Sequence, residues 1–377
     1  MNKKNVILIV IDGGRIDRAQ KSKIFNDIKS NSVFFSQSVT YAPHTIAAMH
    51  AVFSGSYGTR TGTNSYWSTF NFRKNRFKTL TEYLYDHNYH TCCDVINELI
   101  IPKQGFEEFL IHDELKDDLT IRHKNLLQKM KSFVKDDKNF FLYLHYSNIH
   151  TGIMNEVLKI YDNYSKEFFE NKDLNEQRYD QLFAGAELYL KEIMNEIKDL
   201  KFYDNSIILV MSDHGISVGE KFGERAYGAF CYDYTLRTFA YLISKDSLPQ
   251  NILQQVRTID FMPTVLDYLQ IPLDDKYEKL DGISLLPMIN GKNIPEHIAY
   301  SETGNPLDNK EPPELPNTKS VRISKWKLIY NQYDNTKELY DLEKDPNEEQ
   351  NLIGTGKEIE IKLWQQLQKI EKYQAEN

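Results

Sequence analysis

Two acidic residues and a histidine in this 377-residue chain fall where apolar segments end. Asp12 closes the run NVILIVID (5–12), and the pair Asp213–His214 closes NSIILVMSD (205–213) and the residue after it. Two carboxylates and an imidazole form a half-filled coordination sphere for a divalent cation. Plainer readings stand beside this one: Asp12 as the cap of a helix starting near Ile16, and His214 as a hydrogen-bonded structural histidine. A hydroxyl makes the pattern more pointed. Thr45, in SVTYAPHTIAAMHAVFSG (38–55), sits where a loop breaks into a short helix. A metal lowers the pKa of a coordinated hydroxyl and would turn this inert alcohol into a nucleophile. The helix start at Ile46 and Ala47 would aim backbone N–H groups at an anionic substrate.

The elements that must position these residues are legible as apolar runs. Besides the two above, HTCCDVI (90–96), NFFLYLHYS (139–147) and RTFAYLIS (237–244) read as buried strands. Between them, DDLTIRHKNLLQKMKSFVKD and YDQLFAGAELYLKEIMNEIKDL carry apolar residues at three- and four-residue spacing, the helical period. Alternation of this kind predicts a large, mostly parallel sheet with helices on both faces, an α/β fold. In such sheets ligands bind beyond the carboxyl ends of the strands, where Asp12, His145 and Asp213 fall. After the Pro- and Asn-rich stretch GNPLDNKEPPELPN (304–317), SVRISKWKLIYN and KELYDL read as an antiparallel hairpin, and GKEIEIKLWQQLQKIEKYQ as a closing helix. The expected organisation is a catalytic domain over 1–303 and a small α+β subdomain over 304–377.

Composition narrows the function. A hydrophobic share of 41% and a charged share of 27% are ordinary for a globular protein, and the net charge of −8 argues against a nucleic-acid binder. An anionic substrate stays open, because a metal ion reverses the field locally. Cys92, Cys93 and Cys231 show no zinc-type spacing and read as free thiols of a reducing, cytoplasmic compartment. The opening apolar run is too short for a signal peptide, and no segment reaches the roughly 20 apolar residues of a membrane span. A homo-oligomer is compatible with the sequence, which does not specify one.

The chain resembles the sulfatase family of the alkaline phosphatase superfamily from about residue 4 to 353. The resemblance is carried by NVILIVIDGGRIDR, TIAAMHAVFSG, FFLYLHYSNIH, IILVMSDHG, YDYTLRTFAYLI, TIDFMPTVLDYLQI, DGISLLP and KWKLIYN with KELYDLEKDPNEEQNL, in that order. It implies an alkaline phosphatase-like fold and an ester hydrolase or phosphotransferase with a metal ligand set of Asp12, Thr45, Asp213 and His214. Sulfatases proper carry Cys or Ser in a C/S-x-P-x-R turn that is converted to formylglycine; counting back from Gly55, this chain has Thr45, Ala47 and Met49 there. Threonine cannot form formylglycine, since its Cβ carries a methyl group. Gly13 stands in place of a second aspartate and His214 in place of the frequent Asn. A calcium site of oxygens thus becomes a mixed O/N site, suited to one Zn²⁺ or Mn²⁺ ahead of Ca²⁺ or Mg²⁺.

The same resemblance assigns His150 to the substrate's anionic group, with His145 the other histidine near a strand end. Tyr227 replaces a family histidine before Gly228, and a Lys-x-His segment is missing at NELIIPKQGFEEF; both losses favour one metal over two. Arg225, in the loop GERAYG, is a candidate substrate cation. Arg15 either faces the substrate or pairs with Asp17, and His44 either contacts substrate or packs the loop. Arg237 and His50 read as structural. The expected reaction is a Thr45-linked displacement on a phosphate ester or phosphodiester, ahead of a sulfate ester, of a small-molecule or glycan-linked substrate. The alternatives are a sulfuric ester hydrolase with a non-formylglycine nucleophile, and an inactive member that binds a glycan or partner.

Overall fold

The computed structural model describes residues 4–65, 68–155, 166–224, 226–306 and 313–376. Among these residues one sheet has nine strands. They are β1 (Asn5–Ile11), β2 (Val33–Val39), β3 (His90–Val95), β4 (Glu108–Ile111), β5 (Phe140–Tyr146), β6 (Ser206–Met211), β7 (Arg237–Ile243), β8 (Gln250–Ile252) and β9 (Val256–Arg257). Their order is β4-β3-β5-β1-β6-β7-β2-β8, with β9 also beside β2. Strands β4 through β6 run parallel, and β7 is antiparallel to both neighbours, β6 and β2.

The unbroken apolar runs follow from burial on both faces. On β1, Ile7, Ile9 and Ile11 join one core cluster, while Val6, Leu8 and Val10 join the other. Successive side chains point to opposite faces, so a strand covered on both sides must be apolar at every position. The helices Leu119–Lys135 and Lys172–Asp199 cover the first face; Thr45–Ser54, Leu80–Asp86 and Phe261–Tyr268 cover the second.

Strand β2 has no counterpart among the runs read from the sequence. Its segment VFFSQSV is interrupted by polar residues, and its pairing with β7 shifts register between Phe35 and Ser38. A bulge of this kind breaks the two-residue alternation that marks a strand.

A second, antiparallel sheet comprises β10 (Ala299–Thr303), β11 (Thr318–Arg322), β12 (Trp326–Asn331) and β13 (Thr336–Asp341). It starts at Ala299, ahead of the Pro-rich stretch. Val321, Leu328 and Leu339 pack with Leu363 and Leu367 of the closing helix Glu358–Glu376, and with Ala47 and Ala51 of the helix that begins at Thr45. On the other side of β10, the Glu302 N–H donates to Tyr41 O at 3.0 Å and the Thr303 hydroxyl donates to Gly228 O. The second sheet therefore packs against the helix that begins at Thr45 and bonds the loop that leads into it.

Candidate active site

The parallel order places β5, β1 and β6 side by side, so the residues after β1 and β6 converge beyond the same sheet edge. Thr45 is the first residue of a ten-residue helix, entered from His44 in an extended conformation. Every residue of that helix is buried, which fixes the Thr45 backbone. Its hydroxyl lies 3.3 Å from Asp12 Oδ2 and 3.3 Å from His214 Nε2. Nε2 of His214 is also 3.7 Å from Asp12 Oδ1 and 3.5 Å from Asp213 Oδ2. The four residues expected from the sequence as metal ligands thus share one buried point.

Hydrogen bonds set which atoms are available there. His214 Nδ1 is 2.8 Å from Gly215 O. A carbonyl only accepts, so Nδ1 carries the proton and Nε2 of the neutral ring offers its lone pair toward Thr45. Asp213 Oδ1 accepts from the N–H groups of Gly13 (3.0 Å) and His214 (2.8 Å). Asp213 Oδ2 and Asp12 Oδ1 are buried and accept no hydrogen bond. Two buried carboxylate oxygens without a donor are costly unless a cation compensates them. The donor set therefore fits a divalent ion held by Asp12, Thr45, Asp213 and His214, with oxygen and nitrogen ligands mixed.

Electrostatics agree. Burial pushes the Asp12 carboxyl up, but the electrostatic pull of the neighbouring imidazoles, His150 first, and the His145 hydrogen bond reverse this and hold it below the ordinary range. Asp213 moves the other way, raised by burial and by the Asp12 charge. One carboxylate suppresses ionisation of the other, as two like charges in one pocket must.

Two glycines shape the loops beside these ligands, and the first bears on a departure from the family pattern. Gly13 has φ +70°, and a Cβ there would meet Ile216 Cγ1 at 2.9 Å, so an aspartate cannot stand in this turn without moving Ile216. At Gly215 a Cβ would approach the Tyr234 carbonyl oxygen to 2.1 Å, which keeps the backbone tight behind His214.

The other expected residues divide. His150 Nδ1 is 3.9 Å from Asp12 Oδ1 and 3.4 Å from the Tyr227 hydroxyl, and the Tyr227 ring lies 5.0 Å from that of His214. Both residues border the cluster. His44 is buried, and burial, followed by the electrostatic effect of the nearby His214 ring, lowers it to about 3. Arg15 is turned away: it contacts Asp17, Glu220 and Ile216 O, and it lines a polar cleft with Arg18 and Asp180. Arg225 lies outside the described residues. Arg237 donates to Ser36 O, and His50 is buried against Ile46 O.

One residue gains a sharper role than the sequence reading gave it. His145 Nε2 is 3.0 Å from Asp12 Oδ2 and its Nδ1 is 3.0 Å from the Tyr143 hydroxyl. The imidazole donates to the carboxylate and accepts from the tyrosine, so it orients Asp12. Its place near the end of an apolar run is the signal in the sequence, while its pairing with Asp12 comes from the adjacency of β5 and β1.

A Sulfatase family profile matches residues 4–271, and a second, described as N-sulphoglucosamine sulphohydrolase, C-terminal, matches residues 230–373. The uncharacterised sulfatase YdeN of Escherichia coli (strain K12) is 27% identical over 292 residues, which are 69% of this chain and 49% of that protein. The choline-sulfatase of Rhizobium meliloti (strain 1021) is 28% identical over 191 residues, 49% of this chain and 35% of that protein. The chain thus spans about half or less of these relatives. BT4656, solved with its substrate D-glucosamine-2-N,6-O-disulfate, superposes with a TM-score of 0.74 at 17% identity, covering 100% of this chain and 99% of that one. Phosphonate monoester hydrolase SpPMH from Silicibacter pomeroyi gives 0.75 at 14%, covering 100% and 96%. At such identities the likeness is one of fold. With the profile spanning the segments that hold Asp12, Thr45, Asp213 and His214, and the same fold extending over the whole chain, the protein belongs to the sulfatase family of the alkaline phosphatase superfamily.

Proposed function

We propose that the chain is a metal-dependent ester hydrolase or transferase that acts on a phosphate ester or phosphodiester through a covalent Thr45 adduct. The observation that carries this reading is the Thr45 hydroxyl, 3.3 Å from both Asp12 and His214, beside two carboxylate oxygens that accept no hydrogen bond. Members of the sulfatase family generally bind a divalent metal; here the mixed donors Asp12, Thr45, Asp213 and His214 favour Zn²⁺ or Mn²⁺ over Ca²⁺ or Mg²⁺. Such an ion lowers the pKa of a bound hydroxyl and neutralises charge developing on the transferred group.

The chain's own residues do the rest. Burial of the whole Thr45 helix holds the nucleophile in one geometry, and His145 holds Asp12. In the first displacement the Thr45 O–H proton is released to solvent, a bond forms from Thr45 Oγ1 to phosphorus, and the bond to the leaving oxygen breaks, that oxygen taking a proton from solvent as it departs. A water or acceptor alcohol then reverses the pattern, releasing Thr45. The helix N-terminus, His150 and Tyr227 border the non-bridging oxygens, and Arg225 is proposed to join them. His44, buried just before the nucleophile, has a lowered pKa that favours the neutral ring and suits packing better than substrate contact. The free thiols of Cys92, Cys93 and Cys231 accord with a reducing compartment.

A second reading is supported by the comparisons: a sulfate ester on a sugar, the substrate class named for BT4656. Formylglycine sulfatases release sulfate through a hydrated aldehyde, a route closed to threonine. A Thr45 ester needs a second in-line attack, which a divalent ion assists more for the more highly charged phosphoryl oxygens. Aryl phosphate monoesters, diesters and sulfates of equal leaving-group pKa, turned over by the Mn²⁺- or Zn²⁺-loaded protein, separate the readings. Faster turnover of a phosphate ester is expected; a preference for the sulfate, lost in Thr45→Ala, would return the protein to sulfate chemistry by another mechanism.

A further inference from the structure

Three of the four proposed ligands, Asp12, Asp213 and His214, come from two loops, one after β1 and one after β6, and a set of buried polar contacts joins these loops. The Arg15 guanidinium donates to Ile216 O at 2.7 Å, pairs with Glu220 Oε1, and bonds Asp17 at 3.0 and 3.1 Å. Glu220 Oε2 accepts from the Ser217 hydroxyl at 3.0 Å and the Val218 N–H at 2.7 Å. Tyr179, on the helix Lys172–Asp199, donates its hydroxyl to Gly13 O at 2.8 Å and accepts from the Arg15 N–H at 2.8 Å. Tyr179 thus fixes residues 13–15, Glu220 fixes residues 216–220, and Arg15 ties the two loops together. The ion pair is shielded from solvent, with side-chain exposures of 10% and 16%, so it is stronger than a surface pair.

The need for such a device follows from charge. Asp12 and Asp213 lie in one buried cluster with an unpartnered oxygen each, and acidic groups gathered this closely must be held in place by the surrounding structure to present a ready-made site to a cation. We infer that Arg15, Glu220 and Tyr179 are positioning residues that hold the Asp12 loop against the Asp213–His214 loop and thereby set the affinity for the divalent ion. This rests on the metal site proposed above. A guanidinium serves three acceptors in different directions, which a lysine ammonium on a flexible stem does not reproduce.

Metal-stripped protein titrated with Mn²⁺ against a competing chelator tests the clamp without reading turnover. Arg15→Gln and Glu220→Gln should each weaken binding by about 10–100-fold, the range for residues that orient metal ligands. The double variant should lose little more than either single one, since both remove the same contact. Arg15→Lys should not restore the affinity. Ile193→Val, a core change on the face covered by the same helix, lowers stability and should leave affinity within about twofold. Asp12→Ala reports on the metal site itself: wild-type Mn²⁺ affinity in that variant removes the site and this inference with it. Loss of Mn²⁺ in Asp12→Ala but wild-type affinity in Arg15→Gln and Glu220→Gln overturns the clamp alone. If Arg15→Gln does not fold, Tyr179→Phe decides, with about 3–10-fold weaker binding expected and wild-type affinity fatal to the inference.

Discussion

Two buried clusters in this molecule join an aspartate to histidines near the carboxyl ends of neighbouring strands. Asp12 meets Thr45, Asp213 and His214; Asp94, near the end of β3, meets His112 and His123. Their ligand-type atoms are grouped with similar compactness, yet the two differ in charge balance. Asp94 accepts from Arg122 Nε and Nη2 at 2.9–3.0 Å, from His112 Nδ1 at 3.2 Å and from His123 Nε2 at 2.9 Å. The outer nitrogens of those histidines rest on the Ser147 and Tyr189 hydroxyls. Carboxylate and guanidinium cancel, and both Asp94 oxygens are satisfied. Around Asp12 no arginine or lysine is in contact among the described residues, a second carboxylate stands alongside, and two oxygens lack a donor. Geometry alone therefore does not distinguish a metal site from a packing motif; the unsatisfied oxygens and the uncompensated charge do.

The sharpest break between the clusters is expected in turnover. Thr45→Ala should reduce it by about 1,000-fold or more, the scale of losing a covalent nucleophile, while Mn²⁺ remains bound through three ligands. Near-normal single-turnover rates in that variant would leave a bound water as the attacking group.

Next in size is the stability of the Asp94 cluster. Asp94→Asn should cost about 3 kcal/mol by chemical denaturation, toward the low end for a broken buried pair because Arg122 is partly exposed. Metal content should not change. Burial opposes ionisation of Asp94, but the His112, His123 and Arg122 hydrogen bonds hold its carboxyl far below the ordinary range. Its folded pKa is depressed, so this stability is present above the unfolded value of about 3.9 and fades as pH falls toward the folded pKa. The acid arm of the stability profile should shrink in the variant; loss of bound Mn²⁺ instead would make this cluster a second metal site.

Glu224 supplies the smallest and most intermediate case. It accepts from the Ala229 N–H and the Tyr234 hydroxyl, has no cation partner among the described residues, and is raised by burial to about 7. Here the folded pKa lies above the unfolded one, so the native state binds the extra proton between about pH 4.5 and 7. Stability should fall as pH rises through that window, by at most about 3 kcal/mol. Glu224→Gln should flatten the slope. A slope equal to wild type would mean that this carboxyl ionises freely in the fold.

Much of the architecture is legible along the chain because burial on both sheet faces writes unbroken apolar runs, as in NVILIVID and NSIILVMSD. The bulged β2 and the short β4, β8 and β9 escape that reading, having too few alternating residues to mark a strand. The chemistry-bearing types are legible as well: an aspartate or Asp–His pair closing an apolar run, and a threonine opening a buried helix, declare themselves locally.

Partnership is another matter. The sequence determined that Thr45 cannot become formylglycine, that Gly13 offers no carboxylate, and that strands alternate with helices. Only the tertiary structure decided that β5, β1 and β6 lie side by side, which brings His145 to Asp12 and the Thr45 hydroxyl between Asp12 and His214. It alone turned Arg15 toward Glu220 and gave Asp94 its Arg122. These choices rest on contacts between residues up to 205 positions apart. No local propensity encodes such pairs, because their energies exist only once strand order and core packing have brought the charges within a few ångströms of one another.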